Sequence, residues 1–247
     1  MSEEVKVADS GKWWVTTPDA VAPIRMGQQG DDAEPLTLVT NLFRETVQRH
    51  GERLAMVAAD GRRYTWREYY NECVKFAKSL IHLGFEKHNA VNIIGFNSPE
   101  WVIADIGAIF AGGMAAGIYT TNGPEACQYI AQHSEARVVV CEGIPQAQKF
   151  IEVQESLPEL KALVVYNHSG DIPKDVRDAC KVDIMTFAQF QELGQEVPDE
   201  RVEERSSAPQ NHCCTVIYTS GTTGPPKAVM ISHDNITWVT RRFINMV

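Results

Sequence analysis

The sequence predicts an α/β protein: a largely parallel sheet with helices on both faces. Three observations predict it. From Ala90 onward, apolar runs of strand length alternate with stretches of helical pattern. The runs are nearly continuous in apolar residues, as in strands buried on both faces. The last run, Cys213 to Thr219, feeds a loop rich in Ser, Thr and Gly, and open α/β sheets place ligands at such strand ends.

Taken in order, residues 1 to 35 are rich in Gly, Pro, Asp and Gln and read as an extended leader. An amphipathic helix is expected from Leu36 to about Gly51, with Leu42, Phe43 and Val47 on one face. Leu54 to Ala59 and Arg63 to Thr65 read as two short strands around the turn Asp60-Gly61. Thr65, with Glu68 three residues on, forms a capping box for the next helix. Its apolar positions Tyr69, Cys73, Phe76, Ala77, Leu80 and Leu83 keep helical spacing, and Gly84 suits its end.

The alternation then begins with a strand from Ala90 to Phe96. Ser98 is an N-cap and Pro99 a first helical residue, for a helix ending near Gly112. Strands are expected near Gly117 to Tyr119, Val138 to Cys141 and Leu163 to Tyr166, with helices over Pro124 to Ser134, Pro145 to Glu155 and Phe187 to Leu193. Charged, Pro-containing residues 194 to 210 read as a surface loop. A helical pattern runs from Ile236 to Val247 without a closing cap, which reads as a chain cut inside an element. No internal repeat is visible.

Bulk properties exclude several classes. At 247 residues the chain can bury a sizeable core. A net charge of −9 without a basic stripe argues against nucleic acid, whose binding is mostly phosphate neutralisation. The six cysteines show neither a disulfide framework nor zinc spacing and fit free thiols in a reducing compartment. The seven histidines form no metal-binding pattern. No apolar segment near the N-terminus resembles a signal. The longest apolar stretch, Val102 to Tyr119, is marginal for a membrane span, contains Asp105, and is interrupted at Ala111-Gly112-Gly113.

The chemistry concentrates in Thr219-Ser220-Gly221-Thr222-Thr223-Gly224-Pro225-Pro226-Lys227. Gly221 and Gly224 permit close backbone approach and φ > 0. Ser220, Thr222 and Thr223 offer hydroxyls, and Lys227 offers a point charge for a phosphate. This is no Walker loop: two prolines precede the lysine and remove N–H donors. A plain Ser/Thr/Gly surface loop has the same composition. The order strand, hydroxyl-glycine loop, Pro-Pro, Lys favours a polyphosphate site. His233 either contributes to this site or is a polar residue near a helix start.

At these residues the sequence resembles the adenylate-forming superfamily, whose nucleotide loop reads Thr-Ser-Gly-Thr-Thr-Gly-x-Pro-Lys. It is similar, over nearly its whole length, to the bubblegum-type long-chain acyl-CoA synthetases. The matching stretches are Trp14 to Thr17, Gly95 to Trp101, Ala111-Gly112-Gly113 with Gly117-Ile118-Tyr119, Cys127-Gln128-Tyr129, and Ile231 to Trp238. One departure is Ala228, where the family usually has Gly; a methyl there is expected to crowd the turn after Lys227.

The resemblance implies the incomplete N-terminal portion of a synthetase large domain, spanning 36 to 247 behind the leader 1 to 35. It implies activation of a long-chain fatty acid by ATP to an acyl-adenylate, then transfer to CoA. Residues Thr219 to Lys227 would cover the β- and γ-phosphates, with Thr222 and Thr223 near Mg²⁺. The main catalytic lysine has no counterpart in this chain. A cytoplasmic location fits, with peripheral contact to the endoplasmic reticulum membrane compatible. Tyr119, Trp101 and Tyr129 are conceivable walls of an acyl tunnel, but ordinary core packing is the plainer account of all three. Three readings stay open: part of a ligase that is inactive alone, a truncated isoform that binds nucleotide weakly, and a protein-interaction module.

Overall fold

A computed structural model describes residues 6–7, 12, 14–23, 30–33, 35–209, 211–219 and 225–246. In chain order its elements are β1 (Lys6–Val7), β2 (Ala20–Val21), α1 (Val39–His50), β3 (Leu54–Val57), β4 (Arg63–Thr65) and α2 (Trp66–His82). Then come β5 (Ala90–Ile94), α3 (Pro99–Phe110), β6 (Met114–Ile118), α4 (Pro124–His133), β7 (Ala136–Glu142), α5 (Gly143–Val153) and β8 (Ala162–Tyr166). The chain continues through α6 (Lys174–Ala179), β9 (Asp183–Thr186), α7 (Phe187–Glu192), α8 (Asp199–Arg205), β10 (Cys213–Thr219), β11 (Lys227–Ser232) and α9 (His233–Met246).

Seven strands form the main sheet in the order β11-β10-β6-β5-β7-β8-β9. Every neighbouring pair is parallel except β10 with β11. The strand period of two sorts the side chains into two cores. Val138 and Val140 of β7 and Ala162, Val164 and Tyr166 of β8 join Phe76, Leu80, Phe110 and Phe190 on one face. Val139, Cys141, Leu163 and Val165 join Ile130 and Phe150 of α4 and α5 on the other. The predicted α/β architecture is therefore present.

Local signals act as expected in several places. Thr65 and Glu68 form the reciprocal capping box of α2. Gly84 adopts φ +70°, the left-handed turn that closes this helix. The Ser98 hydroxyl accepts from the Trp101 N–H, with Pro99 at the first helical position. Gly112 turns at φ +80°, and a Cβ on Gly113 would strike the Phe85 ring and the Asn89 carbonyl. The Ala111-Gly112-Gly113 run is thus a packing requirement of the α3–β6 turn.

Other expectations are corrected. Residues 194 to 210 are not all loop: α8 lies there, with Val202 buried and Lys78 Nζ 2.6 Å from Asp199 Oδ1. Acidic residues at its start and Arg205 at its end suit the helix dipole, but a short charged helix shows almost no apolar period. Short elements α6 and β9 also carried too little pattern to be read. The antiparallel strand β11 is an addition to the expected elements: Lys227, expected to end the loop, is its first residue. The last helix starts at His233, not Ile236. Ser232 caps it, its hydroxyl accepting from the Asn235 N–H (3.2 Å) while its own N–H donates to Asn235 Oδ1 (3.1 Å).

Candidate polyphosphate site

Strand β10 ends at the C-terminal edge of the parallel sheet, beside β6, with Ile217 opposite Gly117. Its antiparallel partner β11 closes a hairpin whose last pair is Thr219 with Lys227. The Thr219 hydroxyl reaches back to the Lys227 carbonyl at 3.4 Å. Ser220, Gly221, Thr222, Thr223 and Gly224 lie outside the described residues. Thr219, Pro225 and Lys227 are exposed and Pro226 is half-buried. Lys227 makes no ion pair among the described residues, so a cation stands at the hairpin neck, unpaired by this set. Described residues hold no group of three metal-ligating side chains, and Thr222 and Thr223 lie outside them.

Ala228 does not follow a turn. It sits in extended β11 opposite Tyr218, packed against the α4–α5 core. The methyl therefore meets side chains rather than a bent backbone, which corrects the crowding expectation.

His233 is buried and belongs to the core rather than the hairpin. Its Nδ1 accepts the Val39 N–H at 3.2 Å. Burial, with His212 nearby, pulls its pKa down to about 4.

The three aromatic residues separate. Tyr119 is 68% exposed at the C-terminal end of β6, which corrects its assignment to a packed core. Trp101 is half-buried against the α2–α3 core, as packing requires. Tyr129 packs at the edge of the other core, and its hydroxyl donates to the Pro226 carbonyl at 3.2 Å. Four residues later on α4, His133 Nδ1 lies 3.0 Å from the Tyr218 hydroxyl. Sequence reading missed this pair. Its signal was the i, i+4 spacing of two polar-tipped rings on one helix face.

A cleft of about 1270 Å³ runs along β10 and β11 on the α4 side. Leader residues Trp14 to Thr16 and Pro18 line it together with Tyr129, Tyr218 and Lys227. Asn211 ties the leader down by donating to the carbonyls of Ala22 and Pro23.

At the usual ligand position of such a sheet, protein groups bond to one another. Connections diverge on either side of β5 and β7, so the crevice between their C-terminal ends is the switch point. There Glu142 accepts the Phe96 N–H at 2.8 Å and the Asn167 amide at 3.2 Å. The Tyr166 hydroxyl donates to the Phe96 carbonyl at 3.2 Å, and a Cβ on Gly95 would collide with that hydroxyl. Gly95 is therefore structural.

Comparison with known proteins gives the family and the fold. The model of the AMP-binding enzyme family matches residues 43–246. Long-chain-fatty-acid–CoA ligase ACSBG2 of Xenopus laevis is 44% identical over 231 residues, 92% of this chain and 30% of that protein. The ACSBG2 ligase of Homo sapiens is 40% identical, over 92% of this chain and 34% of its own length. The chain thus spans about a third of the curated relatives it matches. Among solved structures, the anthranilate CoA ligase AuaEII in complex with anthranoyl-AMP aligns with a TM-score of 0.67 at 22% identity, covering 83% of this chain and 37% of that one. The luciferase-like enzyme of the Zophobas morio mealworm aligns at 0.69 and 17% identity, over 89% and 48%. Those structural likenesses carry the fold, and the sequence relatives bear out the resemblance to bubblegum-type synthetases. With its family model matched over most of its length, this chain belongs to the AMP-binding enzymes.

Proposed function

We propose that this chain forms the polyphosphate-holding part of a long-chain fatty-acid–CoA ligase. The carrying observation is the exposed Lys227 paired with Thr219 at the hairpin neck, at the open C-terminal edge of the sheet. In the reaction proposed, a fatty-acid carboxylate attacks the α-phosphorus of ATP and pyrophosphate leaves. The CoA sulfur then displaces AMP to give the thioester. Charge gathers on the leaving pyrophosphate, and fixed cations and donors stabilise it. Lys227 supplies the cation, and Thr219, Ser220, Thr222 and Thr223 supply hydroxyls. Gly221 and Gly224 permit close approach, and Pro225 and Pro226 stiffen the segment. Mg²⁺, when bound near Thr222 and Thr223, balances further phosphate charge. Residues 36–247 are assigned to the adenylation domain and 1–35 to a leader. None of the described helices is long and apolar enough to cross a membrane. The six free cysteines fit a cytoplasmic setting.

Calorimetric titration with ATP·Mg tests the reading. A lost charge-assisted phosphate contact is worth about 1.5–3 kcal/mol, so Lys227→Ala should weaken binding by about one to two decades. An unchanged dissociation constant would make Lys227 an ordinary surface charge.

A further inference from the structure

We propose that α4 clamps the β10–β11 hairpin. Tyr129 and His133, one helical turn apart, act as positioning residues for its two arms and so set where Lys227 stands. The proposal deepens, and its ligand arm rests on, the polyphosphate reading above.

The descending arm is held through Pro226. Pro225 and Pro226 carry no N–H, so neither can donate to a ladder beyond the Thr219–Lys227 pair. The Pro226 carbonyl instead accepts from the Tyr129 hydroxyl at 3.2 Å. The ascending arm is held through Tyr218, the residue before Thr219. Its hydroxyl lies 3.0 Å from His133 Nδ1 and 3.5 Å from the Ile130 carbonyl. The rings reinforce this arrangement, with Tyr129 and His133 centroids 5.6 Å apart and His133 and Tyr218 in a T-shaped contact at 5.8 Å.

The clamp is itself anchored in the sheet. Ser134, next to His133, donates to the Ile130 carbonyl at 2.8 Å and accepts from the Asn92 amide at 3.0 Å. Asn92 is fully buried in β5. A polar path thus runs from the sheet centre through the end of α4 to the residue before the site. On the far side of α4's first turn, Lys149 holds the β6–α4 loop by donating to the carbonyls of Thr120 (2.8 Å) and Asn122 (2.7 Å). Strand β11 is a sheet edge, and an edge hairpin has ladder partners on one side only. The α4 hydroxyl and imidazole supply the missing second reference.

Amide hydrogen exchange on the 247-residue chain tests the clamp without a ligand. Removing one hydrogen bond should speed local opening by about two- to tenfold. Tyr129→Phe should accelerate the amides of Lys227 and Ala228 by that factor and leave β5 and β7 unchanged. His133→Leu should do the same at Tyr218 and Thr219. His133→Asn, which keeps an amide atom near the position of Nδ1, should stay close to the wild-type rate. Unchanged neck amides in Tyr129→Phe and His133→Leu would overturn the proposal. So would equal acceleration of every amide, which would mean general loss of stability. Titration with ATP·Mg adds the second arm: Tyr129→Phe should weaken binding two- to tenfold. If wild-type chain takes up no ATP·Mg, the polyphosphate reading falls, and the clamp is still decided by exchange.

Discussion

On the β7–β8–β9 flank of the sheet, all five residues of β8 are buried and helices cover both faces. On the β10–β11 flank, burial alternates: Tyr218 and Val216 face the α4 core, while Ile217 is 51% and its partner Val229 43% exposed. The same chain thus builds a closed flank and an open one, and the candidate chemistry sits on the open one. The contrast has a physical sense. A candidate ligand site needs accessible donors, and such segments come from the low-stability end of a fold. The closed flank supplies the rigid frame against which they are placed.

The largest expected effect separates the flanks directly. Phe76 is fully buried, with its ring centroid 5.5 Å from Phe187 and 4.8 Å from Phe190. Phe76→Ala should cost about 3–5 kcal/mol in urea unfolding. Ile217→Ala should cost less than about 1 kcal/mol, since half its side chain already meets water. Equal losses would break the comparison.

The next effect depends on pH. His233 joins the open flank to the helical layer through Val39, and its folded pKa of about 4 lies below the ordinary 6.5. Folding therefore favours the neutral ring, and the unfolded chain binds the extra proton. Stability from this group is full above pH 6.5 and is lost as pH falls towards 4, by up to about 3 kcal/mol. Asp105 works in the opposite sense. Burial raises its pKa to about 7 from 3.8, so this carboxyl weakens the fold as pH rises between those values. Between pH 4 and 6.5 the two groups oppose each other, so His233→Gln should remove the rise in stability with pH there and leave the fall due to Asp105, and Asp105→Asn should do the reverse. A profile unmoved by either variant would show that the two groups are solvated.

These residues also mark what the sequence made legible. Closed-flank elements were readable because their signals are local: a capping box at Thr65 and Glu68, a Ser98-Pro99 start, and continuous apolar strands. On the open flank the strand β10 was legible and β11 was not. β11 begins at the residue taken for the site's cation, and its half-exposed alternation lacks the continuous apolar run of a central strand. The α4 contacts were hidden for a different reason. Tyr129 meets Pro226 across 97 positions of chain, and no spacing rule reports a contact of that range. The loop itself was legible as a motif, but the placement of its neck on an antiparallel hairpin was not.

A third prediction compares like with like. Both flanks use the same cap, Thr65 with Glu68 on α2 and Ser232 with Asn235 on α9. Removing such a cap costs about 0.5–2 kcal/mol. Thr65→Ala should lower the global unfolding midpoint accordingly. Ser232→Ala should mainly speed amide exchange in the first turn of α9, with little change in the midpoint. A global loss from Ser232→Ala would show that α9 unfolds with the closed flank.

The smallest effect on stability is the sharpest test of openness. Ile217 and Val229 face each other across β10 and β11 and point away from the α4 core. Replacing both with threonine keeps β-branching and strand propensity while removing apolar surface. If the face is solvent-exposed in the folded chain, little buried area is lost, and the urea midpoint should shift by no more than about 0.5 kcal/mol. The same change should reduce self-association, because an exposed apolar pair beside a sheet edge is a ready contact between molecules. Light scattering across a concentration series would show a lower apparent mass for the double variant. A loss of about 2 kcal/mol would instead mean that this face is covered in the folded chain, and the difference between the flanks would disappear.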